Sequence, residues 1–201
     1  MSRALLLSGG MDSIAIAYWK RPHHAFTLDY GQLAAQAEIQ ASRAAALELG
    51  IEHHVLAIDA RALGSGDMAG GAPDRNAPAS DWWPYRNQLL VTAAGMRGVS
   101  LGVTELMLGT VATDAQHRDG TPLFVERLDA LMRCQEGEIG VSAPAIELTT
   151  VELIREAQVP RSLMGWAHSC HTGNLPCGRC RGCNKYVGTV HELVESGVWA
   201  A

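Results

Sequence analysis

Short apolar runs alternate with amphipathic segments at the start of the chain. Ala4–Leu7, Ala25–Asp29 and His54–Ile58 have the length and composition of buried strands. Between them, Ile14–Trp19 and the alanine-rich segment Leu33–Leu49 have the spacing of helices. This alternation predicts an α/β fold with a doubly wound parallel sheet, in which ligands bind at the carboxyl ends of the strands.

The pattern along the rest of the chain is less regular. Residues 61–84 are rich in Gly, Ala, Pro and Asp without a sustained period, which predicts a long loop. Ile139–Leu148 is ambiguous between element types. The other predictions are helices over Arg86–Val99, Pro122–Met132, Thr150–Gln158 (capped by a threonine) and Tyr186–Ser196, and a strand over Glu105–Val111.

Composition limits the class of protein. A chain of 201 residues with 47% hydrophobic and 18% charged residues suits one globular domain with a small appendage. The net charge of −5 provides no basic field for a polynucleotide, so we do not expect a nucleic-acid partner. The opening apolar run is too short for a signal peptide, and no run approaches the ~18 apolar residues of a membrane span. We therefore expect a cytoplasmic protein with no membrane partner.

The first chemical motif follows the first predicted strand, where residues 5–13 read LLLSGGMDS. Small residues there allow close approach of a ligand, and free backbone N–H groups at a helix start favour an anion such as phosphate. The hydroxyls of Ser8 and Ser13 can add hydrogen bonds. Asp12 fits two roles, as a ligand of Mg²⁺ or as the helix cap. An ordinary strand-to-helix turn is the alternative for the whole motif.

Lysine is absent from this loop. A Walker A loop requires Gly-Lys-Ser/Thr, and the whole chain has only two lysines, Lys20 and Lys185. The sequence therefore argues against a kinase or GTPase.

Four cysteines form a second motif near the C-terminus, with the spacing C-x6-C-x2-C-x2-C. Four thiolates can complete a closed tetrahedral zinc site, so Cys170, Cys177, Cys180 and Cys183 are predicted ligands of a structural Zn²⁺. Replacement of Cys170 by His168 or His171, an iron–sulfur cluster and unliganded cysteines are the alternatives. The fifth cysteine, Cys134, is predicted to be a buried apolar residue.

The character of the chain changes after Trp166, where cysteine, glycine and basic residues become frequent. We therefore predict a nucleotide-binding α/β domain over residues 1–165 and a zinc-binding subdomain over residues 166–201.

Five segments in this order resemble the 7-cyano-7-deazaguanine synthase (QueC-like) family of PP-loop ATP pyrophosphatases. The resemblance covers Leu5 to Asn184, nearly the whole chain. The segments are Ser8–Ser13 (SGGxDS), Asp29–Gln32 (DYGQ), the pair Arg86-Asn87, Gly109 with Thr113-Asp114, and the zinc knuckle of residues 168–185.

The resemblance implies an adenine nucleotide alpha-hydrolase-like fold and a reaction. In such proteins the loop grips the pyrophosphate end of Mg-ATP while a substrate oxygen attacks the α-phosphate, giving an adenylate and pyrophosphate. The implied activity is ATP-dependent conversion of 7-carboxy-7-deazaguanine and ammonia into 7-cyano-7-deazaguanine, a queuosine precursor, through the amide. The implied assembly is a homodimer.

The resemblance also implies roles for individual residues. Asp12, Ser13 and Arg86 are the expected catalytic residues. The expected ATP-binding residues are Leu7, Ser8, Gly9, Gly10, Met11, Asp12, Ser13, Leu28, Asp29 and Gly109, and the expected substrate-binding residues are Tyr30, Gln32, Arg86, Asn87, Thr113, Asp114 and Asp119.

The sequence departs from the family pattern in three places. Residues 115–120 read AQHRDG where the family has SGYPDCR, Leu33-Ala34-Ala35 replace basic residues after DYGQ, and Tyr85 replaces a glycine before Arg86. The acceptor pocket is thus rewritten. Two alternatives follow: a paralogue that adenylates another acceptor or conjugates a deazaguanine to another molecule, and a non-catalytic nucleotide-binding protein.

Other conspicuous side chains are predicted to be structural. His23-His24 and His53-His54 lie at strand entries, opposite the expected site, and Trp82-Trp83 is predicted to anchor the long loop.

Overall fold

The computed structural model describes residues 2–200 and has a five-stranded parallel sheet with the order β3-β2-β1-β4-β5. Helices cover both faces, so the predicted α/β class and doubly wound parallel sheet are confirmed. The strands are β1 (Ser2–Leu6), β2 (His24–Asp29), β3 (Glu52–Ala57), β4 (Val103–Met107) and β5 (Gly140–Ser142). The helices are α1 (Met11–Lys20), α2 (Ala35–Leu49), α3 (Arg86–Ser100), α4 (Pro122–Arg133), α5 (Thr150–Glu156), α6 (Arg161–Met164) and α7 (Arg181–Glu195).

Two hydrophobic cores lie on the two faces of the sheet. Alternate residues of the first strand enter different cores: Leu5 and Leu7 pack in one, and Ala4 and Leu6 in the other. Alternation with a period of two is what a strand backbone imposes, and here both faces are buried. A continuous apolar run is therefore the expected sequence for β1.

The start of α7 differs most from the prediction. The helix begins at Arg181, five residues before the predicted Tyr186. Cys180 is its N-cap and accepts a hydrogen bond from the Cys183 backbone N–H. Gly182 and Asn184 have low helix propensity, so the sequence did not predict this first helical turn. The last cysteine of the motif therefore lies in the first turn of a helix.

Smaller differences concern the second half of the chain. The ambiguous segment contains the short edge strand β5, and β4 ends at Met107, before the predicted Val111. Thr149 caps α5, as a threonine was predicted to do. The prediction that Cys134 is buried is wrong, since it ends α4 as an exposed residue.

The C-terminal residues pack on the main sheet. Leu193 and Trp199 belong to the core that contains α1 and α5, and Trp199 Nε1 donates a hydrogen bond to the Val159 carbonyl (3.0 Å). The predicted boundary after residue 165 stays a prediction. Within residues 2–200, no helix has the length and apolar character that a membrane crossing requires.

The loop after β1 depends on a close approach at Gly9. Its φ is +76°, and a Cβ there would lie 2.7 Å from the Glu38 carbonyl oxygen and 2.9 Å from Ala41 Cβ. The helix α2 thus lies directly behind the loop. Gly50, after α2, also has a positive φ (+67°), but no atom lies within 4 Å of its hypothetical Cβ.

Substitution of these two glycines distinguishes the cost of backbone strain from the cost of close packing. We expect Gly50→Ala to lower the free energy of unfolding by about 1 kcal/mol, from the positive φ alone. Gly9→Ala should cost about 2–4 kcal/mol, because the methyl group also overlaps α2. Urea unfolding of the two variants measures the difference. Equal losses would show that α2 does not press on the loop.

Candidate functional site

A cavity of about 290 Å³ lies at the carboxyl ends of β1, β2 and β4. This is the edge at which ligands of parallel α/β sheets bind. Thirteen of the seventeen residues predicted to bind ATP or substrate line it. They are Leu7, Ser8, Gly10, Met11, Asp12, Ser13, Leu28, Tyr30, Arg86, Asn87, Gly109, Asp114 and Asp119.

The other four residues predicted to bind ATP or substrate do not line this cavity: Gly9, Asp29, Gln32 and Thr113. Gln32 is buried and organises the turn after β2: its side chain donates to the Leu28 carbonyl (3.0 Å) and accepts from the Tyr30 N–H (2.9 Å). Asp29 accepts from the Gly31 N–H (3.1 Å). These contacts support the cavity wall from behind.

The loop of residues 8–13 presents free donors at the start of α1. Gly10 is the N-cap, and no side chain accepts a hydrogen bond from the first turn. Asp12 is therefore not the helix cap, which removes one of its two predicted roles. Unpaired N–H groups and the helix dipole make this end of α1 a site for an anion.

Asp12 has two partners from distant parts of the chain. Thr150 donates to its Oδ1 (2.6 Å), and Lys185 Nζ lies 2.7 Å from its Oδ2. Sequence reasoning did not assign either partner to this site. The signal for Lys185 was available: it follows Cys183 by two residues, so a helix that starts at the cysteines carries it toward the cavity.

Arg86 lies among acidic and polar groups at the start of α3. Burial opposes its charge, but Tyr30, Asp119 and Asp81 act in the other direction and raise the pKa of its guanidinium. Asn87 Nδ2 donates to the Asp119 carbonyl (3.0 Å), which connects α3 to the rewritten segment. The two adjacent residues thus have different tasks, one electrostatic and one structural.

One departure from the family pattern, a tyrosine in place of the usual glycine, lies directly before Arg86. Tyr85 has a φ of +57° and is 80% exposed. A glycine adopts this left-handed conformation without strain, so the usual glycine fits the backbone found here.

Glu38 was missed by the sequence analysis. It lines the cavity from α2 and accepts a hydrogen bond from Gln32 Nε2 (2.7 Å). Burial raises the pKa of its carboxyl to about 7, against the opposing effects of the Gln32 hydrogen bond and Arg86. A carboxyl with such a pKa can take up and release a proton near neutral pH.

Asp114 lies at the end of the turn after β4. Its Oδ2 accepts a hydrogen bond from the Val111 N–H (3.0 Å), and burial raises its pKa. Gly120 packs against it, since a Cβ there would lie 2.3 Å from the Asp114 carbonyl oxygen. One carboxylate oxygen is left to accept from a ligand.

Asp81 joins three segments beside the cavity. Arg181 Nη1 lies 3.3 Å from it and His117 Nε2 lies 3.6 Å from it. The long loop, the rewritten segment and α7 therefore meet here. The loop is also anchored by Trp83, which is buried and packs edge-on to Tyr30 with ring centroids 4.9 Å apart, as predicted.

The four cysteine sulfurs converge within 4.8 Å of one another. Two pairs, Cys177–Cys183 and Cys170–Cys180, have Sγ–Sγ distances of 3.9 and 4.0 Å. Sulfurs bound at ~2.3 Å to a tetrahedral zinc are roughly 3.8 Å apart, so the cluster is compatible with a zinc site.

The two neighbouring histidines lie outside this four-sulfur group. His168 Nε2 contacts the Gly173 carbonyl (3.0 Å), and its backbone N–H donates to the Gly9 carbonyl (2.8 Å). The Nδ1 of His171 is buried and has no hydrogen-bond partner among residues 2–200. Both histidines line the cavity, so the cysteine segment forms part of its wall.

Comparisons with known proteins agree with the motifs. The family model described as "Queuosine biosynthesis protein QueC" matches residues 3–190. A protein of Methanosarcina barkeri named 7-cyano-7-deazaguanine synthase is 29% identical, over 91% of this chain and 90% of its own. Proteins with the same name from Desulforudis audaxviator (32% identical, 92% and 94%) and Erythrobacter litoralis (28%, 90% and 84%) are similar over comparable lengths.

The raised pKa of Glu38 predicts a pH dependence of stability. Its stabilising neutral form is fully present below the ordinary pKa of 4.5 and is lost as the pH rises through about 7. Glu38→Gln should therefore gain stability relative to the native chain by about 2 kcal/mol between pH 5 and pH 8. Urea unfolding across this range measures the change, with the exposed Glu126→Gln on α4 as the control. Parallel stability curves for Glu38→Gln and the native chain would contradict the raised pKa.

Proposed function

This chain belongs to the QueC family of queuosine biosynthesis proteins, and we propose that it makes 7-cyano-7-deazaguanine from 7-carboxy-7-deazaguanine and ammonia with ATP. One observation carries the proposal. The free donors of the α1 N-terminus open into the same cavity as Arg86 and Asp114. A phosphate site and groups suited to a carboxylate and a purine-like ring are therefore within one enclosure.

ATP binds through the loop of residues 8–13 in this proposal. The backbone N–H groups of Gly9 and Gly10 and the hydroxyls of Ser8 and Ser13 hold the pyrophosphate end. Asp12 would hold Mg²⁺, which would supply the positive charge that neutralises that leaving group. Backbone groups near Leu28 and Asp29, together with Gly109, contact the rest of the nucleotide.

Lys185 supplies the cation that the loop lacks. Its ammonium contacts Asp12, with 35% of its side chain exposed, so it can turn toward a phosphate while Asp12 takes up Mg²⁺. The four cysteines would hold a structural Zn²⁺, which would fix the start of α7 and thus the direction of this side chain.

The acceptor lies between α3 and the segment after β4. Arg86 pairs with its carboxylate, and Asp114 accepts hydrogen bonds from ring N–H groups. Tyr30 and Asn87 complete this side, with Gln32, Thr113 and Asp119 setting the backbone around it.

The chemistry takes place in two rounds. A carboxylate oxygen attacks the α-phosphorus of ATP and pyrophosphate leaves; ammonia then displaces AMP from the acyl carbon and gives the amide. In the second round the amide oxygen attacks the α-phosphorus of another ATP and pyrophosphate leaves; loss of AMP and of the two N–H protons then yields the nitrile. Glu38, with a pKa of about 7, is suited to accept the protons released.

No side chain of the protein acts as the nucleophile in this scheme, because the carboxylate oxygen, the ammonia and the amide oxygen all come from substrates. The implied homodimer is part of the proposal. Residues 115–120 replace the family's SGYPDCR. The second outcome of the assay below is therefore that the protein uses a different acceptor or conjugates a deazaguanine to another molecule.

Product analysis tests the activity. Incubation of the protein with Mg-ATP, 7-carboxy-7-deazaguanine and ammonium should give the mass of the amide and then of the nitrile, with AMP and pyrophosphate. Arg86→Gln should lower the rate at least ~10²-fold, because it removes the charge that orients the carboxylate. Unchanged substrate with the native enzyme would contradict the proposal, while AMP formation with another acceptor would identify the paralogue.

A further inference from the structure

Three side chains of types that can bind a metal lie together at the end of the sheet opposite the cavity. His24 is the first residue of β2, and Glu52 and His54 lie at the start of β3. The strand register pairs His24 with Glu52 and Phe26 with His54. Paired residues and residues two apart share a face of a sheet, so all three side chains lie on the same face.

Their polar atoms converge on one point. His24 Nδ1 lies 3.2 Å from Glu52 Oε2, His54 Nε2 lies 3.4 Å from Glu52 Oε1, and the two nitrogens are 3.2 Å apart. Ligand atoms bound to a tetrahedral zinc at ~2.0–2.1 Å are separated by roughly 3.3 Å. The triad therefore has the spacing of three ligands around one ion.

Hydrogen bonds alone do not satisfy these contacts. If both nitrogens donate to Glu52, each must carry a proton, and two N–H groups then face each other at 3.2 Å. If one nitrogen is unprotonated, its lone pair faces the carboxylate, and the two acceptors repel each other. A cation at the centre resolves the conflict, because it attracts two lone pairs and a carboxylate at once.

Packing holds the two imidazoles in place. The side chains of His24 and His54 are only 13% and 14% exposed, and the ring of His54 packs on Phe26 with centroids 5.3 Å apart. Glu52 is 62% exposed, so the remaining coordination positions face solvent. Two fixed nitrogens and one adjustable carboxylate make a site that loses little entropy on binding.

We propose that His24, Glu52 and His54 form a second metal site, which binds a divalent transition ion such as Zn²⁺ with water in its open positions. Two imidazoles favour such ions over Mg²⁺ and Ca²⁺, which prefer oxygen ligands. The ion connects β2 to β3. Since β3 is an edge strand, held by one neighbour, this cross-link stabilises the sheet where its hydrogen bonding is least complete.

Metal content distinguishes this site from the cysteine cluster. After equilibrium dialysis against micromolar Zn²⁺, native protein should contain one more zinc ion per chain than His54→Gln or Glu52→Gln. The exposed Glu52 is the safer variant, because its replacement leaves the packed imidazoles unchanged. His191→Gln is the matched control: His191 also lies 3.2 Å from a glutamate, Glu195, but has no second imidazole.

Thermal unfolding gives an independent readout. At a hundredfold excess over the dissociation constant, Zn²⁺ should raise the Tm of native protein and His191→Gln by about 5–10 °C more than that of Glu52→Gln. Equal zinc content and equal shifts in native protein and Glu52→Gln would overturn the proposal. Both readouts are independent of ATP and substrate, so failure here and failure of the proposed activity are distinguishable.

Discussion

The ion pair between Lys185 and Asp12 joins α7 to the loop of residues 8–13. The two charged atoms are 2.7 Å apart, and both side chains are partly shielded from solvent. A second contact, from the His168 N–H to the Gly9 carbonyl, connects the cysteine segment to the same loop. Since Cys180 caps α7 and Cys183 lies in its first turn, the geometry of the cysteines decides where Lys185 lies. A metal in that cluster would thus hold the charge of Lys185 in place beside the loop.

The segments near the start of the chain could be predicted because their signals are local. Apolar runs, Gly9-Gly10 and the alanine-rich helix each depend on neighbours within a few residues. Four of the five strands and thirteen of the residues that line the cavity could therefore be predicted from the sequence. Glu38 and the pairing of Lys185 with Asp12 could not be predicted, because nothing local distinguishes a partly buried glutamate of α2 from an exposed one, and 173 residues separate the pair.

Asp81 shows why the acceptor side was harder to interpret. It contacts His117 from the rewritten segment and Arg181 from α7, so three distant segments define one wall. The motif comparison could detect that residues 115–120 had changed, but not that their new histidine pairs with the long loop. Residues 115–120 are packed and charge-paired: Gly120 lies against Asp114, and His117 lies beside Asp81. This packing is compatible with a retained pocket.

The central claim is that α7 supplies the cation missing from the loop of residues 8–13. ATP affinity of Lys185→Met, measured by calorimetry with Mg²⁺ present, tests it most directly, and Lys20→Met on α1 is the control because it removes the only other lysine. The account predicts binding about 10–100-fold weaker for Lys185→Met, from loss of a charge-assisted contact with phosphate, and unchanged binding for Lys20→Met. Equal ATP affinity in both variants and the native chain would contradict it.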